Sequence, residues 1–305
     1  MGNLTLHIGL QKTGTSMIQQ TMRKLRSELH HHGIAYVDRA DMESMQYLRG
    51  WSAYAKTRPE LRSGFVAELS ALVAKRASDC AAGGVQPTRI VVSNETLVGS
   101  AAPSFTRPFR PRAESAIADV IGALHPVSTE LMLYVRRQDL LVESQYLQRI
   151  HAGKALTFDR FLSRCEPGPI MDYLDLVARL RQLPTVTNVW TRPFEIIAAG
   201  PGPFLADFLA GFGAGEVDVA RAGGIRRVNP SYTAPALAAA IRLNRRNSDR
   251  FPRAAHRAKR AARSLLKRRY PPGRYERPVL FTPERRREFL AMYDEVNRRF
   301  FRECH

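Results

Sequence analysis

The feature that most constrains this chain is a glycine turn set between an alternating apolar strand and an amphipathic helix, close to the N-terminus. Leu4-Thr5-Leu6-His7-Ile8 reads as a first strand, and Gly9-Leu10-Gln11-Lys12-Thr13-Gly14-Thr15-Ser16 follows it directly. A helix is expected from about Ser16 to Leu29, because Met17, Ile18, Met22, Leu25 and Leu29 fall on one stripe. In that order, backbone N–H groups and the positive end of a helix dipole converge on one point, which is how chains cradle phosphate. Lys12 adds a mobile charge there, and Thr13, Thr15 and Ser16 add hydroxyl donors. A plain strand-to-helix turn is the alternative reading of the same residues.

The rest of the chain alternates in the same way. Ile34–Val37, Arg89–Ser93, Glu130–Val135 and Thr187–Trp190 read as strands. Helices are expected around Pro59–Ala77, Ile117–Leu124, Gln138–Ile150 and Phe204–Phe212, and the proline-rich stretch Ala101–Arg112 as a loop. Strands alternating with helices indicate an α/β fold: a parallel sheet in three layers, helices on both faces, and a P-loop-like turn after the first strand. In such sheets the ligand sits at the carboxyl ends of the strands, an edge that would collect Gly9–Ser16, Ser93–Glu95 and Arg136–Ser144. Residues 1–222 are expected to form this core, with residues 223–305 as a basic, mainly helical C-terminal region. Its last helix is expected to begin with Thr282 as cap and Pro283 in the first turn.

Charge is the one abnormal bulk property. The 305 residues carry a formal net charge of +19, which draws in anions: nucleotides, nucleic acid, acidic glycans or an anionic membrane surface. Between Arg226 and Arg269 stand 14 Lys/Arg residues and a single acid, Asp249. That block reads either as a solvated helical face or as a platform for an anionic glycan, lipid headgroup or membrane surface. Few aromatics interleave it, so specific nucleic-acid binding is not expected. No run of about 18 apolar residues is present to span a membrane. The start of the chain lacks the basic-then-apolar pattern of a secretion signal, and the three cysteines are widely spaced. A cytoplasmic location is expected, with peripheral contact at the inner membrane through Arg226–Arg269 as its extension.

The loop departs from the ordinary nucleotide-triphosphate signature, in which lysine directly follows the second glycine. Here Lys12 stands two residues before Gly14. The segment Leu6–Ser16 resembles the 5′-phosphosulfate loop of the PAPS-dependent sulfotransferase superfamily, in its bacterial and carbohydrate-type members. That loop usually reads proline-lysine-[Ser/Thr]-glycine-threonine-[Thr/Ser], and Gln11 stands where proline is common. The resemblance implies that Gln11, Lys12, Thr13, Gly14, Thr15 and Ser16 hold 3′-phosphoadenosine 5′-phosphosulfate (PAPS), with adenosine 3′,5′-bisphosphate as product and no metal. The superfamily's second element is an arginine ending a strand with a serine eight residues later on the next helix, together holding the 3′-phosphate. Arg136 and Ser144 stand in that register, and Arg137 competes with Arg136 for the role. Fainter similarity continues to about residue 213.

A general base must take the proton of the acceptor hydroxyl. The superfamily supplies it from the end of the third strand, which makes Glu95 the candidate, while Lys12 would balance charge on the leaving oxygen. Glu95 also reads as a solvated residue or a first-turn helix acid, and His7 as an alternative base or a packed core histidine. His30-His31-His32 reads as a solvated helix end rather than a metal cluster. The expected activity is sulfuryl transfer to a hydroxylated acceptor, a cell-envelope carbohydrate or glycolipid of anionic character. A nucleotide-dependent kinase and a non-enzymatic polyanion-binding or membrane-surface protein stand as the alternatives.

Overall fold

The computed structural model describes residues 2–10, 12–49, 51, 58–97, 109–163, 171–224, 231–246, 261–262 and 264–304. The protein is an α/β structure built on one sheet of five strands. They are β1 (Asn3–His7), β2 (Ile34–Asp38), β3 (Arg89–Ser93), β4 (Thr129–Val135) and β5 (Val186–Pro193). The spatial order is β2-β3-β1-β4-β5, and every neighbouring pair is parallel. The chain leaves β1 toward β2 on one side and later returns to β4 on the other, so the carboxyl end of β1 is the point where the winding reverses. Open parallel sheets have a crevice there.

Alternation along the strands explains why helices flank the sheet. Ile34, Tyr36, Val91, Met132 and Tyr134 share one face, where they pack with Met17, Ile18 and Met22 of α1 (Thr15–Lys24) and Leu29 of α2 (Arg26–His31). The same cluster takes in Phe204, Leu205, Phe208 and Leu209 of a helix over Pro201–Ala210. Leu4, Leu6, Ala35, Val37, Ile90, Val92, Leu131 and Leu133 alternate to the opposite face and are equally buried. The helices Pro59–Ala82, Ala113–Leu124 and Tyr173–Arg181 pack with one another and with the edge strands. The single helix expected over Ser16–Leu29 is broken at Leu25, whose N–H still reaches Thr21 O at 3.1 Å. Leu25 and Leu29 are both buried, so the apolar stripe runs on through the break.

The chain divides into two compact units. The first holds the whole sheet and comprises Met1–Arg136, Asp172–Arg227 and Val296–His305. The second comprises Arg137–Met171 and Val228–Glu295 and contains helices over Gln138–His151, Phe158–Leu162, Ala234–Arg246 and Pro283–Ala291. Within it, Asn244 Nδ2 donates to Ile150 O at 2.8 Å and Lys154 O at 3.1 Å, capping the end of the Gln138–His151 helix. Arg286 bridges the buried Asp139 and Glu143 of that helix. Thr282 accepts from Arg285 N at 3.3 Å with Pro283 in the first turn, the cap its sequence predicts. Of the basic block, residues 226–230, 247–260 and 263 lie outside the described residues. No helix among the described residues is long and apolar enough to cross a membrane.

Candidate functional site

The loop after β1 is held in an unusual backbone conformation. Lys12 has φ 77° and Gly14 φ 78°, both in the left-handed region. For glycine this is free of steric cost, whereas for a residue with a Cβ it costs about 1–2 kcal/mol. Gly14 is also hemmed in: a Cβ there would lie 3.0 Å from the rings of Phe194 and Phe204. Thr13 is buried and its hydroxyl donates back to Leu10 O. Helix α1 starts at Thr15, with Met17 N and Ile18 N donating to Gly14 O at 2.9 and 3.1 Å. Among the described residues no side chain caps this helix, so the first-turn amides of Thr15 and Ser16 stay directed out of its end. Ser16 is exposed.

Arg136, directly after β4, braces the loop from the neighbouring strand. Its Nη1 donates to Lys12 O at 2.9 Å, and its guanidinium lies over the Phe194 ring at 5.3 Å. The backbone is pinned in turn, since Tyr173 Oη donates to Arg136 O at 2.6 Å. The neighbouring Arg137 is directed elsewhere: Nε and Nη2 meet the two oxygens of Asp139 at 2.7 and 2.9 Å. Lys12, Thr13, Gly14, Thr15, Ser16 and Arg136 are therefore gathered at one place in the first unit. Ser144 belongs to the second unit, half-buried in the second turn of the Gln138–His151 helix. Gln11 lies outside the described residues.

Beneath the loop sits His7. It is fully buried, and its Nδ1 lies 2.8 Å from Ser93 Oγ on β3. Burial lowers the imidazole pKa from 6.5 to about 3, so the ring is neutral at physiological pH. Its Nε2 and Thr15 Oγ1 find no hydrogen-bond partner among the described residues. Both atoms approach Gly9, where a Cβ would lie 2.9 Å from Nε2 and 3.0 Å from Oγ1. The ring packs edge-on to Phe208 at 4.9 Å, as a core histidine does.

Glu95 lies one strand away. His7 and Ser93 are paired in the register of β1 and β3, and Asn94 N extends the ladder to His7 O at 3.0 Å. Asn94 Oδ1 then accepts from Thr96 N and Thr96 Oγ1 at 2.9 and 2.7 Å, an Asx turn that sets Glu95 at its apex. The carboxylate is buried rather than solvated. Its Oε1 accepts from Arg39 Nη1 at 2.8 Å and its Oε2 from Gln19 Nε2 at 3.2 Å. Each oxygen retains a second lone pair.

No protein-family model, curated protein or solved structure matches this chain.

The site's chemistry therefore rests on its residues alone. Outward amides, Lys12 and Arg136 make one side fit for an anion; Glu95, buried and oriented, makes the other fit to accept a proton. Gln19 and Arg39, which orient that carboxylate, escaped the sequence reading. Gln19 carries no distinct signal, since Thr15, Ser16, Gln20 and Arg23 around it on the helix are polar as well. Arg39 gave none either, because its partner is 56 residues away. The rings of His31 and His32 bond Ser27 O and Glu28 O within their own helix, and no group of three metal-ligating side chains occurs among the described residues.

Proposed function

We propose that this protein is a sulfotransferase, moving a sulfuryl group from 3′-phosphoadenosine 5′-phosphosulfate to a hydroxylated acceptor. The observation that carries the reading is Lys12. A lysine occupies a left-handed position that glycine would fill without cost, at the carboxyl end of the central strand, with Arg136 bonded to its carbonyl. Strain of this kind persists where a particular side chain is needed at a particular point. A lysine there, two residues before the helix-capping glycine, suits a phosphosulfate better than a nucleoside triphosphate with its Mg²⁺.

In this reading the amides of Thr15 and Ser16, with the Ser16 hydroxyl, receive the 5′-phosphate, and Arg136 receives the 3′-phosphate. Glu95 accepts the proton of the acceptor hydroxyl as the acceptor oxygen forms its bond to sulfur. The bond from sulfur to the bridging phosphate oxygen breaks, and Lys12 meets the charge left on that oxygen. Adenosine 3′,5′-bisphosphate and the sulfated acceptor leave. The protein contributes position and preorganised charge, the main resources of enzymes that transfer such groups. The net charge of +19 favours an anionic acceptor, and a cell-envelope carbohydrate or glycolipid is the class we assign, with the basic block Arg226–Arg269 as its platform.

The test is transfer of ³⁵S from labelled donor to a cell-envelope glycolipid extract. Glu95→Gln keeps the shape of the side chain and removes the base, so the rate is expected to fall about 10²- to 10⁴-fold with adenosine 3′,5′-bisphosphate affinity unchanged. Undiminished transfer by Glu95→Gln rejects Glu95 as the base.

A further inference from the structure

We propose that Gln19 is the positioning residue for Glu95, tying the carboxylate at the end of β3 to the helix that leaves the glycine loop. Its catalytic meaning rests on the sulfotransferase reading; its geometry does not. Gln19 is buried on α1, one turn after Thr15. A buried amide costs about 1–3 kcal/mol unless its polar atoms find partners. Here the NH₂ group donates to Ser93 O at 2.9 Å and to Glu95 Oε2 at 3.2 Å. A carbonyl and a carboxylate only accept, so the orientation of the Gln19 amide follows from chemistry.

Ser93 is held a second time, through its hydroxyl, by His7 Nδ1 at 2.8 Å. The strand entering the loop and the helix leaving it are thus both bonded to the segment that carries Glu95. Arg39 Nη1 takes the other carboxylate oxygen at 2.8 Å, which fixes the plane of the group from two directions. One side chain, Gln19, joins the base to the first turns of α1, where the anion-facing amides lie. A donor that settles or shifts α1 moves the carboxylate with it.

Gln19→Met keeps the length and bulk of the side chain and removes both donors. In the full-length protein the Gln19 side-chain NH₂ resonances, assigned through bonds, are expected to resist hydrogen exchange and to shift when Glu95 is replaced by Ala. With saturating ³⁵S-labelled donor and the glycolipid extract, Gln19→Met is expected to lower the transfer rate about 10- to 100-fold. Adenosine 3′,5′-bisphosphate affinity should stay within about two-fold, because the loop itself is untouched. A Gln19 resonance indifferent to Glu95→Ala overturns the proposal whatever reaction the protein performs, and that arm needs no Gln19 variant to fold. Unaltered transfer by Gln19→Met, or rate and affinity falling together, overturns it as well. Failure of the unmodified protein to bind adenosine 3′,5′-bisphosphate overturns the sulfotransferase reading instead, and the resonance arm still decides the link between Gln19 and Glu95.

Discussion

The ends of β1 and β3 lie side by side in register, yet they are built on opposite principles. The end of β1 is strained and cationic: two left-handed residues in three, amides directed outward, Lys12 held in place through its carbonyl by Arg136. The end of β3 is relaxed and anionic. An Asx turn shapes it, and each oxygen of Glu95 has a partner on a different element. In the proposed reading, one end receives an anion that comes and goes, while the other aims a single carboxylate. Backbone strain and a satisfied network differ in what a substitution does to them.

Lys12→Gly tests the strained end and carries the largest effect. Transfer is expected to fall about 10²- to 10³-fold, the usual loss when one preorganised charge is removed from a transition state. The folded state should nonetheless gain about 1 kcal/mol in urea unfolding, because glycine enters the left-handed region without cost. A destabilised Lys12→Gly protein would contradict the strain argument. Gly14→Ala sharpens the same contrast from the other side. Positive φ and the Phe194 and Phe204 rings at 3.0 Å both oppose a methyl group there, so a loss of about 2–3 kcal/mol is expected.

A further effect, seen only as the pH falls, concerns His7, which joins the two ends. Its pKa is lowered by burial from 6.5 to about 3, so between those values the unfolded chain binds a proton that the native state refuses. Stability held above pH 6.5 is therefore lost as the pH falls, at up to about 1.4 kcal/mol per pH unit from this residue. His7→Gln removes that titration, and its unfolding free energy should fall less steeply between pH 6.5 and 4 than that of the unmodified protein. Equal slopes in the two proteins would show that His7 is not held neutral.

The division between what sequence and structure each reveal follows the same lines. Strands with both faces buried stand out as compact apolar runs, and the run Arg89–Ser93 coincides with β3. Their order in the sheet depends on pairings between distant segments, which no local pattern encodes. The turn that carries Lys12, Gly14 and Thr15 between β1 and α1 is legible because a glycine-containing strand-to-helix turn is a local motif. The partners of Glu95 were not, since Gln19 and Arg39 reach it across 76 and 56 residues. The break at Leu25 left no trace either, because the apolar stripe continues through it. Ser144 stands on the helix that its local pattern predicts, Gln138–His151, whereas its place in the second unit rather than with residues 1–136 has no local signature.

The most direct measurement of the central claim is ligand-dependent thermal unfolding of the unmodified protein with adenosine 3′,5′-bisphosphate, ATP with Mg²⁺, and heparin compared at equal concentration. A ligand that binds only the native state raises its stability by mass action. The account predicts a clear upward shift with adenosine 3′,5′-bisphosphate, larger than with ATP and Mg²⁺ and lost in Lys12→Ala. Stabilisation by ATP and Mg²⁺ alone, or by heparin alone, would contradict it.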